Sequence, residues 1–232
     1  MDGTLLGSTP AVLATWEFYA REYSLDLTEV LKTSHGVRTI DNLRRWCGLT
    51  DQAALEEATN AFEMMIISEA QRLQSEGKSG LQILPGVSEL LNTLDAAPTS
   101  IWAIVTSATP LYASAALSTA GIQDPPRLIT AADVINGKPN PEPYMVGAKA
   151  LDMDPEKCIV VEDAPSGIKA GVAAGCRVLA VCTSHERTQL EGLGATWIVE
   201  DLSKVTASVE GDMIRLAIDE TGLEKPVTSI GS

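Results

Sequence analysis

The sequence is poor in cysteine, histidine and basic residues, and each shortage argues against a class of function. Its four cysteines form no Cys-x-x-Cys pair, and its two histidines are too few for a clustered zinc site. We expect the cysteines to be buried, reduced thiols. The sequence has 31 acidic residues but only 17 lysines and arginines, so the formal net charge is -14 at pH 7. This charge disfavours binding to nucleic acid and to anionic membrane surfaces.

Long apolar runs are also missing. No segment approaches the ~18 consecutive apolar residues that a membrane span needs. The first residues, Met1-Asp2-Gly3-Thr4, do not carry a basic region followed by an apolar one, as a leader peptide would. These features predict a cytoplasmic protein. The 232 residues, 45% of them apolar, suffice for one α/β catalytic unit with a modest insertion.

Helical patterns fill the first third of the chain. Apolar residues recur at helical spacing in three stretches, which are Thr9 to Tyr23, Ile40 to Cys47 and Gln52 to Glu76. No strand pattern interrupts them. Consecutive helices before any strand predict a compact helical insert over residues 9–84.

The pattern changes after Leu84-Pro85-Gly86, where short apolar runs alternate with helices. The runs lack polar alternation and therefore predict parallel strands buried on both faces: Ile101 to Val105, Cys158 to Val161, Arg177 to Cys182 and Thr196 to Val199. We expect helices over residues 110–120, 141–151 and 166–174 to cover them. The tail after about Asp219 is predicted to be an accessory strand end followed by disorder. In such α/β sheets, ligands bind beyond the carboxyl ends of the strands.

Two acids, Glu162 and Asp163, directly follow one predicted strand. They could simply cap the next helix or face solvent in a turn. Adjacent carboxylates repel each other unless a cation holds them, however, and a hard divalent ion such as magnesium takes carboxylate oxygens. The placement therefore predicts a metal site at the end of this strand.

Three further residues or pairs carry candidate chemistry. Thr106 and Ser107 follow another predicted strand and open a helix, where hydroxyls and free amides can bind an anion or merely cap the helix. Lys138 lies in a proline-rich loop that fixes its direction, so its ammonium could reach a phosphoryl oxygen instead of only facing solvent. Asp2 begins an Asp-Gly-Thr turn that is uninformative by itself.

Together these motifs resemble the haloacid dehalogenase superfamily, and within it the fungal glycerol-phosphatase and 2-deoxyglucose-6-phosphate phosphatase branch. Asp2-Gly3-Thr4 looks like the second half of the Asp-x-Asp-Gly-Thr signature. The resemblance covers nearly the whole chain. Its other motifs are Ser34 to Thr39, Pro85-Gly86, Trp102 to Ser107, Ile129 to Val134, Gly137-Lys138-Pro139, Glu142-Pro143-Tyr144 and Glu162 to Gly167.

The resemblance implies a fold and a set of roles. The fold is a Rossmann-like α/β parallel-sheet core, residues 1–8 and 85–232, whose first strand is missing, with an inserted helical cap domain over residues 9–84. Asp2 protonates the leaving alkoxide and then activates water, and its main-chain carbonyl joins the metal shell. The remaining matches are Thr106 and Lys138 for the phosphate, and Glu162 and Asp163 for Mg²⁺.

The nucleophilic aspartate of the family would stand immediately before Met1, at the end of a central apolar strand. Losing such a strand removes several buried side chains worth about 1.5 to 3 kcal/mol each, against a domain stability of about 5 to 15 kcal/mol. The resemblance therefore predicts that Met1 is an internal methionine and that the 232 residues alone are inactive and poorly folded. An in-frame stop directly before Met1 would contradict the first expectation, and measurable turnover the second.

The helical insert selects the substrate in this family. His35 and Arg38 could hydrogen-bond a small polyol or sugar phosphate beside Ser107, although they could also be an ordinary helix-face pair. Arg38→Ala should then raise KM for such substrates more than for p-nitrophenyl phosphate. A sugar-phosphate mutase and a catalytically dead phosphate-binding protein are alternatives, and dehalogenation is disfavoured by the acids suited to magnesium. We expect a monomer that binds neither nucleic acid nor membranes.

Overall fold

The computed structural model describes residues 1–97, 101–210 and 213–219. Within these ranges the chain has an α/β fold in which helices surround short strands, as the sequence predicts. The tail predicted after about Asp219 lies outside the described residues. None of the described helices is long and apolar enough to cross a bilayer.

The helical insert contains four helices. They are α1 (Thr9–Tyr23), α2 (Leu27–Ser34), α3 (Thr39–Trp46) and α4 (Gln52–Ser75). Helices α1 and α3 pack against α4. The sequence analysis does not predict α2, because its eight residues carry only three apolar side chains, Leu27, Val30 and Leu31, too few to repeat over several turns. Its start is fixed by Asp26, whose carboxylate accepts the N–H groups of the next helical residues.

Two short strands join the ends of the insert. Strand β1 (Leu6–Gly7) pairs antiparallel with β2 (Gln82–Ile83), with Leu6 opposite Ile83. The chain therefore leaves the core and returns to it at neighbouring points. Neither strand is predicted from the sequence, because two residues are too few to show a strand period.

Parallel strands form the centre of the core. Strand β3 (Ile104–Val105) pairs with β4 (Leu128–Ile129), and β5 (Ile159–Glu162), β6 (Arg177–Val181) and β7 (Trp197–Val199) form a second parallel sheet in that order. Each of the four predicted runs overlaps one of these strands, and β5 extends one residue beyond its run. Strand β3 is shorter than its run, and β4 is not predicted by any apolar run.

The remaining elements surround these strands. They are α5 (Val87–Asp95), α6 (Pro110–Ala120), α7 (Glu142–Ala150), α8 (Pro165–Ala173), α9 (Arg187–Leu190) and the antiparallel pair β8 (Val205–Glu210) and β9 (Met213–Ile218). The predicted helices 110–120, 141–151 and 166–174 agree with α6, α7 and α8 within about one residue. The sequence analysis does not predict β8, although its apolar residues Val205, Ala207 and Val209 alternate with polar ones as in a half-buried strand.

One apolar cluster runs from the insert into the core. Trp16 and Phe62 of the insert belong to the same buried cluster as Ile104 of β3 and Leu117 of α6. Helix α4 packs directly against α6. The insert is therefore seated on the side of the core where β3 ends.

Candidate active site

Seven of the eight predicted site residues line one cavity of about 290 Å³ between the helical insert and the strand ends. From the core come Asp2, Thr106, Ser107, Lys138, Glu162 and Asp163, and from the insert comes His35. They converge because β3 and β5 are followed directly by Thr106 and Asp163. The cavity is thus where the sequence places ligand chemistry.

Lys138 and Glu162 form a buried ion pair at the floor of this cavity. The Lys138 ammonium lies 2.6 Å from Glu162 Oε1 and also donates to the carbonyl oxygen of Val105 at 3.2 Å. Both side chains are about 95% buried, with exposed fractions of 4% and 5%. An ammonium has three N–H donors, so these two hydrogen bonds leave one for a phosphoryl oxygen. The ammonium also lies 4.7 Å from the centroid of the Tyr144 ring.

The Glu162 carboxylate has no oxygen left for a metal ion. Oε1 also accepts the Tyr144 hydroxyl at 2.6 Å, and Oε2 accepts the backbone N–H groups of Asp163 and Ala164. Burial alone would raise the pKa of Glu162, but the Lys138 charge holds it below its ordinary value. Glu162, predicted as a metal ligand, is here the residue that fixes Lys138.

Asp163 faces the opposite way, toward the first turn of the chain. Its Oδ1 accepts the Thr4 hydroxyl at 2.7 Å, and its Oδ2 lies 2.7 Å from His35 Nε2. Burial alone would raise the pKa of Asp163, but His35 and Thr4 hold it well below its ordinary range. Asp163 is therefore an ionised carboxylate shared between core and insert.

Asp2 is held by Tyr112, a residue that the sequence does not single out. The Tyr112 hydroxyl, on α6, donates to Asp2 Oδ1 at 2.8 Å, and Tyr112 is only 2% exposed. The next residue must be glycine: Gly3 has a φ of +70°, and a Cβ there would lie 2.0 Å from Asp163 Oδ2. The Asp-Gly turn thus brings two acids to one cavity.

The two hydroxyl residues after β3, Thr106 and Ser107, have different hydrogen-bond partners. Thr106 Oγ1 accepts the N–H of Ala108 at 3.2 Å, and no described residue accepts the Thr106 hydroxyl proton. The Ser107 hydroxyl instead donates to the carbonyl oxygen of Gly36 in the insert at 2.9 Å. Thr106 is therefore available to an anion, whereas Ser107 holds the insert.

Arg38 is the one predicted site residue that does not line the cavity. Its Nε donates to Asp41 at 2.7 Å and its Nη1 to the carbonyl oxygen of Ile135 at 2.9 Å. Its side chain lies against Gly137, where a Cβ would be 2.7 Å from Arg38 Nε. Arg38 belongs to the insert, and its side chain packs against the loop that carries Lys138, outside the cavity.

Glu63 and His185 also line the cavity and are not predicted from the sequence. Glu63 interrupts the buried stripe of α4 beside Phe62 and Ile66, and an acid inside an apolar helix face is a signal that could have revealed it. Burial raises the pKa of Glu63. His185 shows no such signal, since it lies in the loop after β6.

The donor set partly fits a divalent cation. The oxygens of Asp2 and Asp163, beside the close Gly3 turn, are the hard ligands that Mg²⁺ prefers. Glu162 does not fit, because its oxygens are occupied. Over the described residues, no group of three or more His, Cys, Asp or Glu side chains could hold a metal ion. These residues would therefore hold the ion together with its waters or a bound phosphate.

An α/β core with acids and a lysine at its strand ends, covered by an inserted helical unit, defines a Rossmann-like hydrolase architecture. Residues 1–181 match the haloacid dehalogenase-like hydrolase family. The chain belongs to this family, and the resemblance inferred from its motifs is confirmed.

Curated relatives and a solved structure agree with this assignment. The chain is 37% identical to hexitol phosphatase A of Escherichia coli K12, covering 92% of this chain and 95% of that protein. It is 33% identical to glycerol-1-phosphate phosphohydrolase 2 of Saccharomyces cerevisiae, covering 95% and 88%. The structure of β-phosphoglucomutase from Clostridium difficile matches with a TM-score of 0.72 at 21% identity, covering 88% of this chain and 90% of that chain. That likeness supports the fold alone.

Proposed function

We propose that this protein is a Mg²⁺-dependent phosphatase that hydrolyses small polyol or sugar phosphate monoesters. The observation that carries the proposal is the ammonium of Lys138, which keeps one N–H donor in a small cavity beside Thr106 and Asp2. The names of the relatives, a hexitol phosphatase and a glycerol-1-phosphate phosphohydrolase, support the substrate class.

The chain's own residues supply most of the steps. Lys138 and Thr106 donate hydrogen bonds to phosphoryl oxygens, and Tyr112 orients Asp2 so that Asp2 can protonate the leaving alkoxide and then accept a proton from water. The main-chain carbonyl of Asp2 and the carboxylate of Asp163 would hold Mg²⁺, which neutralises charge on the phosphoryl group when bound. In the family that the chain resembles, the nucleophile is the first aspartate of the Asp-x-Asp-Gly-Thr signature.

We further propose that residues 9–84 form a cap domain over a core of residues 1–8 and 85–232. The antiparallel pair at the two ends of the insert supports these boundaries. We also propose a cytoplasmic monomer. All four cysteines are free, which fits a reducing compartment, although only Cys176 is fully buried.

A phosphate-release assay tests the activity. Glycerol 1-phosphate, hexitol 6-phosphates and 2-deoxyglucose 6-phosphate are supplied with Mg²⁺ to the chain extended upstream by its own coding sequence, so that the residue before Met1 is included. We expect release of free phosphate, and a loss of about 10²-fold or more in kcat for Asp2→Asn. Absence of free phosphate from every monoester would overturn the proposal, and phosphoryl transfer without release would favour a mutase.

A further inference from the structure

The wall that the helical insert contributes to the cavity has almost no charge. It is mainly apolar and includes Val12, Leu13, Trp16, Leu31, Phe62 and Ile66. All of residues 9–84 are described, and no lysine or arginine of this segment lines the cavity. His35 is engaged with Asp163, and Arg38 contacts Asp41 and Ile135. The leaving group of a substrate would therefore face a wall without a free cation.

Glu63 is the acid on this wall, and its position is tightly fixed. It is 2% exposed. Its Oε1 accepts the Thr39 hydroxyl at 2.8 Å, and the Thr109 hydroxyl donates to Oε2. The Thr109 N–H is shared between the two oxygens, 3.3 Å from Oε1 and 3.2 Å from Oε2. Thr39 belongs to the insert, whereas Thr109 caps α6 of the core. The carboxylate is thus held from both sides of the cavity.

These contacts occupy both oxygens of the carboxylate. A carboxylate offers about four acceptor sites, and the hydrogen bonds from Thr39 and Thr109 use two on each oxygen of Glu63. Burial raises the pKa of Glu63, and the hydrogen bonds from Thr109 and Thr39 oppose that shift. A second phosphate on the substrate would meet this carboxylate in a buried site without a compensating cation.

We propose that Glu63 determines substrate specificity: an acid on a cavity wall that carries no lysine or arginine, it excludes substrates with a second phosphate and so favours an uncharged leaving group. This inference rests on the proposed phosphatase function and narrows its substrate class to monophosphates. It also separates the protein from a mutase that works through a sugar bisphosphate, since such an intermediate places a phosphate at each end of the cavity.

The test compares kcat/KM for a hexitol 6-phosphate with kcat/KM for glucose 1,6-bisphosphate, measured by phosphate release in the wild type and in Glu63→Gln. We expect the wild type to prefer the monophosphate by at least 10²-fold, and the Glu63→Gln preference to be at least tenfold smaller. Glu57→Gln is the matched control, because Glu57 is an exposed acid on the same helix. It should leave the preference unchanged.

A second variant covers the case in which Glu63→Gln does not fold. Glu63→Asp keeps the charge and shortens the side chain, so it should retain the preference for the monophosphate. Three results would overturn the role of Glu63 alone. They are an unchanged preference in a folded Glu63→Gln, a lost preference in Glu63→Asp, and a wild type that hydrolyses both substrates equally. A wild type that releases phosphate from no monoester would overturn the proposed function, and this inference with it.

Discussion

At the scale of single residues, the site depends on polar groups that are buried but paired. Lys138 and Glu162 are the clearest case, since neither could remain charged in the interior without the other. Tyr144 and two backbone N–H groups complete the acceptor sites of Glu162. Glu162 therefore supports Lys138, the residue proposed to bind the phosphate.

Glu162→Ala should lower the free energy of unfolding by about 3–5 kcal/mol, because it leaves the Lys138 ammonium buried without its partner. Urea denaturation in the presence of EDTA measures the effect without metal binding. The double variant Lys138→Met with Glu162→Leu should recover most of this loss. If the single variant loses less than about 1 kcal/mol under these conditions, Glu162 does not support the lysine as argued.

Arg38 makes a second prediction at this scale, and it differs from the one drawn from the sequence. Arg38 contacts the loop before Lys138, so Arg38→Ala should disturb the position of that lysine. We expect kcat/KM to fall by about tenfold for a polyol phosphate and for p-nitrophenyl phosphate alike. The size follows because a hydrogen bond from a charged donor is worth about 1.5–3 kcal/mol. Arg44→Ala is the control, since Arg44 pairs with the same Asp41 from the surface. A selective rise in KM for the polyol phosphate would instead support direct contact with the substrate.

At the scale of elements, the sequence predicts the helices and strands that are long enough to show a repeating pattern and misses the short ones. Helices α1, α4 and α6 have enough turns to show their periodicity, and the apolar runs reveal β5 and β6. Two-residue strands such as β4 carry no period. The motif residues fall at the strand ends because these positions share one edge of the sheet. Spacing could not predict from which partners the carboxylate oxygens of Glu162 and Asp163 accept hydrogen bonds.

The contact between insert and core depends on one glycine. Gly36 has a φ of +76°, and a Cβ there would lie 2.4 Å from Ser166 Oγ and 2.7 Å from the Cβ of Ala164. Gly36→Ala should therefore destabilise the protein beyond the cost of the backbone conformation, by about 1–3 kcal/mol. Gly48→Ala isolates that backbone cost, since Gly48 has a φ of +67° and nothing within 4 Å of a Cβ. Equal shifts in the urea midpoint for both variants would show that the close approach carries no energy.

At the scale of the whole molecule, the candidate site is made by distant parts of the chain. Thr4 reaches Asp163, Tyr112 reaches Asp2, and Glu63 of α4 reaches Thr109 at the start of α6. No local pattern contains these contacts, so spacing alone gives Tyr112 no role, and it marks Glu63 only as an acid inside an apolar helix face. The seven predicted residues meet in one cavity for the same reason.

The cation site can be examined through the stability of the whole protein. If Asp2 and Asp163 bind Mg²⁺ in the folded state only, the ion should stabilise the protein by about 2.7 kcal/mol at a concentration of 100 Kd, visible as a rise in Tm. Asp163→Asn should abolish this rise, because it removes the carboxylate that faces the Asp2 turn. Asp124→Asn, which changes an exposed acid outside the cavity, should keep it. A rise in Tm that survives Asp163→Asn would mean that Mg²⁺ binds elsewhere on the protein. With a net charge of -14, surface acids could bind the ion weakly, and added salt would screen that effect.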